Sequence, residues 1–341
     1  MSSTTLPTRK IGGADVTAIG YGAMGIAGLY GDKVPDEERF KVLDALYELG
    51  CKNWDTADAY YDSEDLIGRW FKRTGKRDEI FLATKFGFPL EAGMNFTGEP
   101  AYVHKAIERS LQRLGTDHVD LYYLHRADPS VPIELTVGAM AELVKQGKVK
   151  YLGLSEVSAE TLRRAHAVHP IAAVEVEYSP FTLDIENEKI GLLKTARELG
   201  VTIVAYSPLG RGLLTGRYKS PDDFPADDWR RTVPRFSKEN FPKVLQLCDQ
   251  FAALGKKYNA TSGQIALAWL LAQGDDIIPI PGTTKIENLK ENLRAASIKL
   301  SPEDVIEIRK AAVAVDAAMQ GDRYPAEMMA LLYVDTPPLK E

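Results

Sequence analysis

Eight short apolar runs, each separated from the next by a stretch with helical periodicity, constrain this chain more than any other feature. They cover residues 18–22, 51–55, 80–84, 119–124, 149–154, 172–176, 202–205 and 277–280. None alternates strictly between apolar and polar residues, which is the pattern of strands buried on both faces. Between them, 36–49 places Phe40, Leu43, Ala45, Leu46 and Leu49 on one helical face and stops at Gly50. Residues 102–114 repeat the arrangement with Ala106, Ile107, Leu111 and Leu114, and stop at Gly115. Segments 158–168, 186–199, 243–258, 262–272 and 286–296 read as further helices. A last one, 301–315, opens with Ser301-Pro302-Glu303-Asp304, an N-cap signature.

Alternation of this kind predicts an α/β protein, a single-domain (β/α)8 TIM barrel spanning 1–341. An N-terminal β-hairpin at 10–17, turning at Gly12-Gly13, precedes it. A doubly wound sheet competes, but its G-x-G-x-x-G fingerprint is missing: Tyr21-Gly22-Ala23-Met24-Gly25 has glycines three apart and no third in place. The long irregular stretch at 210–240 falls after strand seven. Loops of that length are functional or disordered, and Phe224, Trp229 and Phe236 within it favour an ordered one.

A net charge of −6 argues against nucleic acid as the main partner. The cysteines, Cys51 and Cys248, lack metal-site spacing and read as reduced core thiols; no metal ion is expected. No apolar run is long enough to span a membrane, and 1–10 lacks the apolar core of a secretory signal, so a cytoplasmic location is the default.

Chemistry in such a barrel sits where strands end. Asp55 ends the second strand, Tyr60 follows in its loop, Lys85 ends the third and His125 the fourth. Singly, each has an ordinary use: Asp55 as a turn cap, Lys85 as a surface amine, His125 as a buried histidine, Tyr60 as loop packing. Together they place an acid, a phenol, an amine and an imidazole at the same relative position of neighbouring strands. Free tyrosine titrates near ~10, too high for efficient proton donation. Lys85 within ~4–6 Å stabilises the phenolate, and Asp55 holds Lys85 charged. His125 positions the substrate oxygen or relays the proton. Such an arrangement points to acid-assisted carbonyl reduction, whose hydride must come from a nicotinamide.

In this order and context Asp55, Tyr60, Lys85 and His125 resemble the catalytic tetrad of the aldo-keto reductase superfamily. The resemblance runs from Gly20-Tyr21-Gly22-Ala23-Met24 to Ile280-Pro281-Gly282-Thr283-Thr284-Lys285. The insert with Tyr218-Lys219-Ser220-Pro221-Asp222-Asp223-Phe224 is similar to the branch holding perakine reductase, pyridoxal reductase and fungal homologues. What the family implies is a barrel that binds NADP(H) extended, with tyrosine as general acid. It also implies Ser155 on the carboxamide, Tyr206 stacked on the nicotinamide, and Ser207, Leu209 and Arg211 along the pyrophosphate. Gly282, Thr283 and Lys285 then meet phosphate at a helix N-terminus. Lys285 neutralises the 2′-phosphate, and Glu291 and Asn292 contact adenine. Gly22, Ala23, Met24 and Asp55 complete the cofactor set.

Two positions depart from the family. Glu156 stands where asparagine is common, and Glu175 where a glutamine bonds the carboxamide. An ionised carboxylate accepts from the amide NH₂ but cannot donate to its carbonyl. Its charge also favours the cationic oxidised ring, so Glu175→Gln is expected to tighten NADPH binding. The expected substrate is a small-molecule carbonyl, bulky or aromatic, entering past Met24, Tyr30, Tyr61, Phe86, Arg126 and Trp229. Two other readings compete: a redox-sensing regulatory subunit like potassium-channel β subunits, and a hydrolase using Asp55 and Asp58 as paired carboxylates.

Overall fold

In the computed structural model, which describes residues 6–29, 34–88 and 96–340, β1 (Thr8–Ile11) and β2 (Ala14–Thr17) form the expected antiparallel hairpin. Gly12 turns it with φ +56°. A side chain there is doubly barred, because a Cβ would lie 2.7 Å from the Tyr151 ring.

The hairpin is followed by β3 (Tyr21–Gly22), β4 (Asn53–Asp55), β5 (Phe81–Phe86), β6 (Val119–Leu124), β7 (Val149–Ser155), β8 (Ile171–Glu177), β9 (Thr202–Tyr206) and β10 (Ile277–Pro279). These make one eight-stranded sheet in chain order, every pairing parallel. The Gly20 N–H donates to Pro279 O at 3.0 Å, bringing the first strand against the last and closing the barrel. Outside lie α1 (Asp36–Glu48), α2 (Ser63–Thr74), α3 (Pro100–Leu114), α4 (Ile133–Lys145), α5 (Ala159–Val168), α6 (Leu192–Leu199), α7 (Phe241–Tyr258), α8 (Ser262–Leu271), α9 (Ile286–Arg294) and α10 (Pro302–Ala318). No helix among the described residues is long and apolar enough to cross a membrane.

Two apolar layers result. The larger packs the helices onto the strands; the smaller fills the barrel with Ala83, Leu121, Tyr123, Ala173, Val204 and Ile278, and the hairpin plugs it from below with Ile11 and Val16. Gly153 makes room for the Tyr123 ring: a Cβ at that position would sit 2.4 Å from it and 3.2 Å from Ala173 O. Gly153→Ala is therefore expected to destabilise the protein by about 1–3 kcal/mol through overpacking. Urea unfolding measures this; an unchanged midpoint would show that the ring has space to move.

Some elements differ from the sequence reading. The helices α2 and α4 were not foreseen. In α2, Leu66, Ile67, Trp70 and Phe71 are buried and Gly75 ends the helix in the left-handed region, a signal present in the sequence. The predicted helix at 186–199 shortens to α6, because Gly191 at its N-cap has φ +63°. The long stretch after β9 is ordered as short 3₁₀ turns, with Phe224 and Phe236 buried in the outer core. After α10 the chain runs back across the barrel mouth through α11 (Ala326–Met329), and Tyr333 N–H donates to Glu156 O at 2.8 Å.

Candidate active site

Lys85 is fully buried inside the barrel, near the end of β5. Its Nζ donates to Asp55 Oδ1 and, at 3.0 Å, to Thr56 O. Glu175 Oε2, on β8, lies 3.3 Å from the same nitrogen. A single ammonium thus stands between two buried carboxylates. The Tyr60 ring lies over it, with Nζ 5.1 Å from the ring centroid. His125 follows β6, its N–H donating to Phe86 O at 2.8 Å, and its ring meets Tyr60 edge-on at 5.7 Å. The structure therefore gathers Asp55, Tyr60, Lys85 and His125 in one place.

The loop carrying Tyr60 is held at several points. Thr56 N–H donates to Ala83 O and Asp58 N–H to Lys85 O. Arg113 of α3 donates to Asp58 O at 3.0 Å and to Tyr61 O. Tyr61 sits at φ +43°, an uncommon conformation for a bulky residue, and strain of this kind concentrates at functional sites. Asp58 turns away from Asp55 and accepts from Arg109 on α3 at 2.6 Å. The two acids do not face each other, so the paired-carboxylate hydrolase loses its geometry.

Electrostatics in this cluster follow from burial. Burial pushes the Glu175 carboxyl up to about 8, with Asp55 adding to the rise and Lys85 opposing it. Asp55 is raised too, by burial against the pull of Lys85. Burial works against the Lys85 charge, but Asp55 and Glu175 overcome it and raise its pKa. The Tyr60 hydroxyl is shifted upward, first by burial; Lys85 pulls down as expected, while Glu175 and Asp55 push back. That net direction differs from the expectation of a lowered phenol, because burial outweighs the pull of the one ammonium and the two carboxylates oppose it further. His125 is held well below its ordinary value by burial, Arg126 and Lys85, so its imidazole is neutral.

A second charged cluster lies beside the first, around the ends of β7 and β8. Glu156, at φ +51°, accepts from Tyr206 Oη at 2.7 Å and from Arg323 at 3.0 Å. Arg323 also donates to Glu177 at 3.1 Å and to Tyr333 Oη at 2.8 Å. Burial works against the Glu156 charge, but Arg323 and Arg126 overcome it and keep the carboxylate below its usual range. Ser155 Oγ accepts from Arg126 at 3.0 Å. The Arg211 side chain, expected along a pyrophosphate, instead donates to Glu177 at 2.8 Å and lies over Trp229 and Tyr324, 5.1 and 4.5 Å from their centroids. Arg323, Tyr324 and Tyr333 escaped the sequence reading. Glu177 did not have to, since it sits two residues beyond Glu175 on one strand and so faces the same side.

Elsewhere the expected positions are distributed as follows. Gly22 ends β3 so close to the last strand that a Cβ would lie 2.7 Å from Ile280 O. Ala23 N–H donates to Asp55 O, and Met24 is half-buried beside it. Tyr206 ends β9, and Ser207 and Leu209 begin the loop that follows. Lys285 is the N-cap residue of α9, which has no side-chain cap, and Gly282 and Lys285 are exposed there with Thr283 half-buried between them. A helix end of that kind suits an anionic group. Glu291 accepts from Thr261 Oγ1 at 2.6 Å, and Asn292 is buried. Phe86 does not line the mouth: it is fully buried and stacks on Tyr122 at 4.8 Å, because its neighbour Lys85 faces the interior and strand residues alternate. Tyr30 lies outside the described residues. Asp55 Oδ2 and His125 Nδ1 are buried without a hydrogen-bond partner, whereas Glu175 Oε2 is already held by the Lys85 ammonium at 3.3 Å. Such orphans beside one another mark a place where a polar ligand group fits.

The model of the aldo/keto reductase family matches residues 18–313. Aldo-keto reductase str7 of Strobilurus tenacellus is 61% identical over 98% of this chain and 99% of that protein. Aldo-keto reductase yakc [NADP(+)] of Schizosaccharomyces pombe is 51% identical over 98% and 99%. Among solved structures, the glycerol dehydrogenase AKR11B4 from Gluconobacter oxydans superposes with a TM-score of 0.80 at 29% identity, covering 96% of this chain and 99% of that one. The thermostable aldo-keto reductase Tm1743, crystallised with the inhibitor epalrestat, gives 0.70 at 32% identity over 90% and 100%.

Proposed function

Because the chain belongs to the aldo/keto reductase family, we propose that it reduces an aldehyde or ketone to the alcohol with NADPH, Tyr60 being the general acid. One observation carries the assignment of the acid: the buried Lys85 ammonium, fixed by Asp55, lies under the Tyr60 ring with a neutral His125 at its edge. When bound, NADPH supplies the hydride. In the same step Tyr60 gives its proton to the carbonyl oxygen, and the nearby positive charge of Lys85 lowers the energy of the phenolate left behind. Neutral His125 can donate a hydrogen bond to the same oxygen without adding a proton of its own.

The buried carboxyls of Asp55 and Glu175, with Ser155 and Tyr206 alongside, suit a nicotinamide carboxamide. Gly22, Ala23 and Met24 would form the opposite wall, and Ser207, Leu209 and Arg211 the pyrophosphate side. Gly282, Thr283 and Lys285 would hold the 2′-phosphate, with Glu291 and Asn292 at the adenine. For Arg211 this requires leaving Glu177. The preference for NADPH over NADH rests on Lys285, and the name of the S. pombe relative carries NADP(+). Phe88 against His125, and Trp229 stacked on Tyr324 at 6.4 Å, give an aromatic surround that suits a bulky or aromatic substrate.

Loss of NADPH absorbance with 4-nitrobenzaldehyde tests the reading, with NADH run in parallel. Turnover is expected, faster with NADPH. Tight NADPH binding with negligible turnover across a carbonyl panel would instead support the redox-sensing regulatory subunit.

A further inference from the structure

We propose that Asp55 and Glu175 share one proton across Lys85, and that this proton sets the preference between reduced and oxidised cofactor: NADPH binds when Glu175 is protonated, NADP⁺ when it is ionised. The inference rests on the nicotinamide lying against Glu175, as proposed above.

Geometry makes the case. Asp55 and Glu175 both contact the Lys85 ammonium and both are almost wholly buried, each 3% exposed. With both acids ionised the cluster holds an uncompensated negative charge away from water, an unfavourable state that one proton removes. On β4 stands Asp55, in the following loop Tyr60, on β5 Lys85 and on β6 Tyr123, whose ring centroid is 5.7 Å from Nζ. The register neighbours on β7 and β9 are Ser155 and Val204, neither of which supplies a counter-charge. Arg126, a cation of the same mouth, is directed to Ser155 and to His125 O. Asp55 and Glu175 lie within hydrogen-bond reach of each other, as a shared proton requires, and Asp55 Oδ2 has no other partner.

The two protonation states offer different chemistry. A protonated Glu175 presents one O–H donor and one carbonyl acceptor, the pair that a glutamine presents to an amide. An ionised Glu175 can only accept, and its charge attracts a cationic ring while leaving a neutral one unrewarded. Rising pH therefore moves the site from NADPH towards NADP⁺. The proton balance is explicit: with Glu175 already protonated, NADP⁺ binding releases one proton to solvent and NADPH binding releases none. Once Glu175 has ionised, NADPH binding takes one proton up.

Fluorescence titration of the wild type and Glu175→Gln with NADPH and NADP⁺ tests this. The quantity to compare is the ratio of the two dissociation constants, in which the titration of the shared 2′-phosphate cancels. Burial, with Asp55 beside it, pushes the Glu175 carboxyl up to about 8. Between about pH 7 and about pH 9 the wild-type ratio is expected to move about a hundredfold against NADPH, each constant shifting about tenfold in opposite directions. In Glu175→Gln it should stay constant, with NADPH bound more tightly than in the wild type at the higher pH. Calorimetry in two buffers of different ionisation enthalpy counts the released proton directly, without a variant. A wild-type ratio that does not change with pH overturns the shared proton. Failure of both cofactors to bind at either pH overturns the cofactor reading beneath it.

Discussion

Tyr60→Phe is expected to lose turnover by about a hundred- to ten-thousand-fold, the range a positioned general acid contributes. NADPH affinity should change little. The substitution removes one hydroxyl and leaves the ring, its packing over Lys85 and its edge contact with His125 in place. A loss confined to kcat, with the dissociation constant for NADPH preserved, is the signature of a missing proton donor rather than a damaged pocket. Steady-state kinetics beside a binding titration separate the two. Should the variant keep most of its rate, the acid lies elsewhere, and His125 becomes the group to test.

Lys85→Met should both abolish turnover and destabilise the fold, by about 3–5 kcal/mol, because removing one partner of a buried charge cluster strands the others. Here two carboxylates are stranded, Asp55 and Glu175. Both are already raised in the folded wild type, against the downward pull of Lys85. Without the lysine they rise further. For a carboxyl whose folded value lies above its unfolded one, the folded state binds more protons, so stability is lost as pH rises. The loss begins near the unfolded value of about 4 and is complete once the folded value is passed. The variant should therefore be least impaired in acid and fail progressively towards and beyond about pH 8. Adding Glu175→Gln should restore part of the loss, since it removes one of the stranded charges. Thermal unfolding of the single and double variants across pH measures this. A melting temperature equal to wild type at every pH would show that the three groups do not form a buried cluster.

Much of the candidate site was legible because a barrel gathers the residues that end its strands at one mouth. Asp55, Lys85 and His125 can be placed by asking which residue follows each apolar run, and Tyr60 by its position in the next loop. What linear order conceals is proximity across the barrel interior. Glu175 stands out in the sequence as a carboxylate in a glutamine's place, yet its contact with Lys85 joins β8 to β5, which are not neighbours in the sheet. Only the closed barrel brings them together. Phe86 was misplaced at the mouth although strand alternation beside an inward Lys85 already excluded it. The amphipathic face of α2 was likewise readable, whereas α4 is apolar nearly all round and gives no clear period. Arg323 and Tyr324 lie beyond α10, in a segment without periodicity; nothing local tells them from surface residues, and only the return of the chain over Glu156 and Glu177 buries them.

The central claim is that the Tyr60 proton moves in the same step as the hydride. Single-turnover decay of NADPH absorbance, in water and in heavy water, with protiated NADPH and with NADPH deuterated at the transferred position, tests it most directly. The account predicts that each isotope slows the wild-type decay, that both act on one step, and that Tyr60→Phe shows almost no decay under the same loading. A wild-type decay indifferent to heavy water, together with an equally fast Tyr60→Phe, would contradict it.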